Sequence, residues 1–145
     1  MLRLSADAYT DLVVHALDGL PIEACGLLVG RPSGPVGAGA PDGAADVTEF
    51  VPTANRANSA KVYEVDPLQH LRAERDAESR GLEIVGVMHS HTHTAAYPSP
   101  TDVVQAPDPG WHYLIVSLAD GAPVVRSYRI IDGNIAEESV VVVRQ

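Results

Sequence analysis

The sequence predicts the α/β class, of the α+β kind: a single mixed, largely antiparallel β-sheet flanked by helices. Three observations carry this. The apolar segments are short and rich in β-branched residues, and the later ones are separated by turn signals at Asp120-Gly121 and Asp132-Gly133. Two capped amphipathic segments are inserted between groups of strands. The length, 145 residues, suits one hydrophobic core, so residues 1–145 are read as a single domain.

In chain order, Met1 to Leu4 is a short apolar edge strand. Ser5 is placed to cap a helix from Ala6 to Leu17. Leu12, Val13, Ala16, Leu17 and Leu20 recur at helical spacing as its inward stripe, and His15 is expected to be partly exposed. Gly19 and Pro21 end the helix. Cys25 to Val29 reads as a buried strand with Glu23 at its entrance. Arg31 to Ala45 is rich in Gly, Pro and Ala and is expected to be a flexible hairpin loop. Asp46 to Val51 is the next strand, Pro52 to Ala60 is turn-like, and Val62 to Val65 alternates like a short strand. Asp66 caps a helix with Pro67 at its first position, running to about Ser79 and stopping at Gly81. Leu68 and Leu71 mark its faces, and His70 is read as a surface residue. Leu82 to His91 is an apolar strand, and Ser99 to about Gln105 a short helix. Trp111 to Leu118, Pro123 to Ile131 and Ile135 to Val143 complete the sheet.

Composition narrows the function. The hydrophobic share is 46% and the charged share 20%, as in soluble globular proteins. The formal net charge of −9 argues against a nucleic-acid partner and against polybasic attachment to a membrane. A single cysteine, Cys25, allows no internal disulfide, and the N-terminal residues do not read as a secretory signal. The expected location is cytoplasmic.

The chemistry gathers between Val87 and Asp102. His89 and His91 are i and i+2 on a strand, so their imidazoles share a face. Asp102 follows a polar, proline-bounded loop. Two imidazoles and a carboxylate form a ligand set that Zn²⁺ accepts, with a fourth position left for water. Ser99-Pro100-Thr101-Asp102 is also close to a helix capping box, and helix initiation alone would justify it. The two uses are compatible, because the head of a helix favours the anionic carboxylate that a ligand must be. Glu23, an acid directly before a buried strand, is a candidate general base, with a loop glutamate as the structural alternative. Ser99 could donate a hydrogen bond to an oxyanion, because capping uses its oxygen and leaves its proton free. Cys25 is read as a packing residue and not a nucleophile.

The pattern Glu23 … His89-Ser90-His91 … Ser99-Pro100-Thr101-Asp102, with seven residues from Thr92 to Pro98 in between, resembles the JAMM (MPN+) zinc metalloprotease motif. The stretch Glu23 to Gly30 is similar to that family's first strand. The resemblance implies a cytidine-deaminase-like fold, bound Zn²⁺, His89, His91 and Asp102 as ligands, Glu23 as base and Ser99 as oxyanion donor. His89 to Thr92, Ala96 to Val103 and Ser127 to Ile130 further resemble the actinobacterial peptidases of the family. Those remove a cysteine from the C-terminal glycine of a small ubiquitin-like sulfur-carrier protein with a Gly-Gly tail. Other ubiquitin-like tails, small peptides and a non-catalytic scaffold are the alternatives, and a homodimer is compatible with such a domain. The chain departs from many members in having Thr92 after the second histidine. His93 is additional, and is read as a solvated loop residue. The segment Pro52 to Val65 is expected to form one wall of a groove for an extended tail, with Arg56 facing a carboxylate.

Overall fold

The computed structural model describes residues 1–33, 43–106 and 108–144. Its described residues form a mixed sheet of eight strands with three helices. In chain order these are β1 (Leu2–Ser5), α1 (Ala6–Asp18), β2 (Cys25–Ser33), β3 (Ala44–Thr53), α2 (Pro67–Ser79), β4 (Glu83–His91), α3 (Pro100–Val104), β5 (His112–Ser117), β6 (Val124–Ile131), β7 (Asn134–Glu138) and β8 (Val140–Val143). The sheet order is β7-β6-β5-β4-β2-β3-β1-β8. Pairs β2/β3, β2/β4, β5/β6 and β6/β7 are antiparallel, whereas β1/β3, β1/β8 and β4/β5 are parallel. The α+β expectation of a mixed sheet flanked by helices therefore holds.

The helices start where their caps predict. Ser5 Oγ accepts the Ala8 amide, and Asp66 accepts from Leu68 and Gln69 with Pro67 in the first turn. Helix α1 buries Ala8, Leu12 and Ala16 against one sheet face, where Leu4, Leu28, Val47, Phe50, Met88 and Leu114 form the main core. Leu17 and Leu20, expected on the inward stripe, are exposed, and Ala16 makes the contact in the last turn of α1. Helix α2 covers the other face through Ala73 and Ala77 on Leu27, Val29 and Ile84. Its Leu68 and Leu71 are exposed, so small residues and not leucines make that contact. Close packing is tightest at Gly30, where a Cβ would lie 1.8 Å from the Asp46 carbonyl oxygen, and at Gly86 one would lie 2.1 Å from the His112 carbonyl oxygen.

Four expectations need correction. β1, read as an edge strand, is paired on both sides, with β3 and with β8. Val62 to Val65 is not a strand; the segment makes one isolated bridge, Asn55 with Val65, and its alternation reflects the burial of Tyr63. The hairpin strands reach further than expected, to Ser33 and back to Ala44, because they stay paired that far. The flexibility expected of the remainder of that loop lies outside the described residues. Ile135 to Val143 is not one strand. β7 pairs with β6 and β8 with β1, on opposite edges of the sheet, with only Ser139 between them. The two edges therefore meet there, and the Leu2 amide donates to the Ser139 carbonyl at 2.9 Å. Among the described residues, no helix is long and apolar enough to cross a membrane.

Candidate metal centre

Strands β2 and β4 pair with Cys25 opposite His89. Beyond that pair, the Ser90 amide donates to Ala24 O at 2.9 Å, and the Ala24 amide donates to Ser90 Oγ at 2.8 Å. This extends the pairing past β2 and places Glu23 level with His91. Paired residues share a face, so Glu23, His89 and His91 project from the same side of the sheet. Helix α3 brings Asp102 over them.

The three donor atoms converge. His89 Nε2 and His91 Nε2 are 3.1 Å apart, and Asp102 Oδ2 is 3.1 Å from the first and 3.0 Å from the second. All three residues are buried, at 2%, 3% and 5% exposure. A tetrahedral Zn²⁺ with bonds of about 2.0–2.1 Å holds its ligands roughly 3.3 Å apart, so this triangle is within a few tenths of an ångström of that spacing. His91 Nδ1 donates to the Ala95 carbonyl at 2.8 Å, which leaves its Nε2 lone pair aimed at the shared point when the ring is neutral. His89, Nδ1 of which is buried without a hydrogen-bond partner, is held instead by stacking on Tyr63, with ring centroids 4.2 Å apart. The chain thus offers a buried His-His-Asp group that could hold a metal.

Local chemistry sets the charges. Burial pushes Asp102 up, but hydrogen bonds from both imidazoles and the Ser99 amide outweigh it and hold its pKa well below the usual carboxylate range. Burial lowers the pKa of His89. In His91 burial is outweighed by Asp102 and the Ala95 carbonyl, which raise it. Glu23 is 4% exposed and its Oε1 has no partner. Burial pushes its pKa up to about 7, with His91 opposing and Asp102 adding to the rise. A buried carboxylate poised near neutrality beside a triad that could hold a metal can exchange a proton.

The capping box is formed in full. Asp102 N–H donates to Ser99 Oγ at 3.1 Å and Ser99 N–H to Asp102 Oδ2 at 2.9 Å. Asp102 is thus cap residue and triad member at once, and Ser99 accepts through oxygen only. The loop between the histidines and Ser99 is pinned by residues that the motif does not include. Thr92 donates to Ala60 O at 3.2 Å, Ser117 to Thr94 O at 2.6 Å, and the Tyr128 hydroxyl to Ala96 O. His93 is exposed, 2.8 Å from Thr92 Oγ1, and stands outside the triad as expected. Arg56 is exposed, with Glu64 4.0 Å away. Cys25 is buried beside Thr53, as a packing residue. His15 is half-buried and donates to the carbonyls of Cys25 and Thr53 at 3.0 and 3.3 Å, tying α1 to the sheet.

Next to the triad on the same face lies an apolar cavity of about 390 Å³. Leu27 and Val87 form its floor, and Tyr63, Val65, Trp111 and Tyr113 are among its walls. Tyr63 is common to the cavity and to the stack on His89. Sequence reasoning placed Tyr63 on a groove wall but did not find the stack, since only the folded loop brings residues 63 and 89 together.

The chain belongs to the prokaryotic homologs of the JAB domain, whose family model matches residues 5–131. It is 39% identical over 146 residues to the CysO-cysteine peptidase of Mycobacterium tuberculosis, covering 100% of this chain and 93% of that one. It is 36% identical over 121 residues to a desampylase of Haloferax volcanii, covering 80% of each. Its fold resembles the solution structure of a protein from Desulfitobacterium hafniense, with a TM-score of 0.87 at 34% identity over 100% of this chain and 94% of the other.

Proposed function

We propose that this chain, as one JAB domain, is a zinc-dependent peptidase. Its reaction is hydrolysis of the amide between the C-terminal glycine of a ubiquitin-like sulfur carrier and an attached cysteine, releasing cysteine in the cytoplasm. The observation that carries the reaction class is the unpartnered Glu23 carboxylate buried beside the His89–His91–Asp102 triad. The substrate rests on the full-length likeness to the CysO-cysteine peptidase.

His89, His91 and Asp102 hold the metal. Bound Zn²⁺ supplies Lewis acidity towards a carbonyl oxygen and lowers the pKa of water. Glu23 takes the proton of the attacking water and returns it to the leaving amine, a task suited to a group with a pKa near the working pH. Ser99 uses its free hydroxyl proton on the developing oxyanion. His91 keeps its tautomer through the Ala95 carbonyl. No acyl-enzyme forms, so Cys25 stays a packing residue. The carrier's tail lies extended in the cleft bounded by the loop of residues 52–65, with its Gly-Gly end at the narrow part beside the triad.

The test is incubation with a carrier–cysteine conjugate, with and without a chelator, reading the carrier by mass. Loss of one cysteine residue, abolished by chelation and restored by Zn²⁺, is expected. Cleavage that persists without metal, or that thiol alkylation alone abolishes, defeats the reading. The likeness to a desampylase supports a second substrate, another ubiquitin-like tail, and faster turnover of such a conjugate would favour it.

A further inference from the structure

Asn55 lies on the loop after β3, and its amide group reaches five main-chain groups. Nδ2 donates to Glu23 O at 2.9 Å and Val62 O at 3.0 Å, with Ser59 O at 3.4 Å. Oδ1 accepts the amides of Ala57 at 3.0 Å and Glu64 at 2.9 Å. Both hydrogens and both lone pairs of the side chain are engaged. Two of these bonds flank Tyr63 on either side, and Tyr63 is the ring stacked on His89 at 4.2 Å with 14° between planes. Another holds the carbonyl of Glu23, whose own amide donates to Ser59 O at 2.9 Å on the same loop. One amide side chain therefore ties together the main chain of the buried acid and the support of one triad histidine.

We infer that Asn55 is a positioning residue that sets the Glu23 carboxylate and, through Tyr63, the His89 ring as a unit. The inference rests on the roles proposed above for Glu23 and the triad. The reason is the asymmetry between the two histidines. His91 is oriented by a hydrogen bond from Nδ1 to Ala95, whereas His89 Nδ1 has no hydrogen-bond partner and the ring depends on Tyr63 for its angle. Groups that orient metal ligands typically change metal affinity or activity by about 10–100-fold when removed.

The test uses Asn55→Asp, which keeps the size and the accepting oxygen but loses the donor. Zn²⁺ affinity is measured by competition with a chelator, without substrate, and kcat on the carrier–cysteine conjugate at saturating Zn²⁺. The expected result is a loss of about 10-fold in each, with KM within about 2-fold. Tyr63→Phe, which preserves the stack, should keep wild-type Zn²⁺ affinity, and Tyr63→Ala should lose about 10-fold. The double variant Asn55→Asp/Tyr63→Ala should lose less affinity than the product of the single losses, because both act on one ring. A lowered melting temperature with wild-type Zn²⁺ affinity and kcat would make Asn55 a loop residue only and overturn the inference. Should Asn55→Asp fail to fold, unchanged affinity in Tyr63→Ala overturns it equally. Failure of the wild type to cleave the conjugate would count against the proposed reaction alone, since the Zn²⁺ competition needs no substrate.

Discussion

Two buried carboxylates with histidines nearby sit at opposite ends of this molecule, and they are built for different ends. At the seam where the sheet edges meet, Glu138 Oε2 accepts from His112 Nδ1 at 2.6 Å and Ser127 Oγ at 2.8 Å. Burial pushes the Glu138 pKa up, but the bonds from His112, from the Met1 ammonium at 2.9 Å and from Ser127 outweigh it and hold it below the usual value. That carboxylate ties β5 and β6 to the end of β7, next to the residue at which the chain changes edges. At the triad the partners are arranged otherwise. Asp102 takes the donors, three donor atoms point at one place, and Glu23 is left with an unpartnered oxygen and a raised pKa. A histidine–carboxylate pair is thus structural where its bonds close on neighbouring strands. Where they converge instead, as at the triad, a second acid, Glu23, is left over with an unpartnered oxygen, as the proposed reaction requires.

Glu23→Gln should break this contrast most sharply. At full zinc occupancy, checked by elemental analysis, kcat on the carrier–cysteine conjugate should fall about 10²–10⁴-fold. Retention of the wild-type rate would take Glu23 out of the mechanism. His112→Ala is the matching change at the seam. It removes one of the bonds to the buried Glu138, which keeps Ser127 Oγ at 2.8 Å and the Met1 ammonium at 2.9 Å, and should destabilise the fold by about 2 kcal/mol in denaturant melts while zinc binding persists in the folded fraction.

A smaller effect sharpens the comparison through pH. The metal-free folded protein holds Glu23 at about 7, above its ordinary value, so its burial is harmless while the group is protonated in both states. As pH rises from the ordinary glutamate value through about 7, the unfolded chain ionises first and this contribution to stability is lost. Metal-free Glu23→Gln should therefore gain in melting temperature relative to wild type on going from pH 5 to pH 8. Glu138, with its pKa depressed, acts with the opposite sign: its contribution is present above the ordinary value and disappears as acid protonates it. A constant difference between Glu23→Gln and wild type across that range would contradict the assignment. The smallest effect is expected at the exposed His93, where His93→Ala should leave Zn²⁺ affinity unchanged and stability within about 0.5 kcal/mol.

Much of the fold was legible in the chain. The caps at Ser5, Asp66 and Ser99 act over three residues, so local sequence carries them. The spacing of His89 and His91 on an apolar strand was equally readable, because a strand's period is local. What failed depended on remote partners. Leu17, Leu20, Leu68 and Leu71 are exposed, and Ala16 on α1 and Ala73 and Ala77 on α2 make the contacts instead. The apolar run after Asn134 looks continuous, and nothing in its pattern says that Ser139 hands it from one sheet edge to the other.

By itself the sequence determined the types and spacing of the three triad residues, the helix that carries Asp102 and the family resemblance, because each is a pattern along the chain. Only the tertiary structure decided that Glu23 lies level with His91, that its oxygen goes unpartnered, and that Tyr63 backs His89. The physical reason is that these depend on strand register and on the Asn55 hydrogen bonds. Both join residues far apart in the chain, and both exist only once the intervening loops have closed.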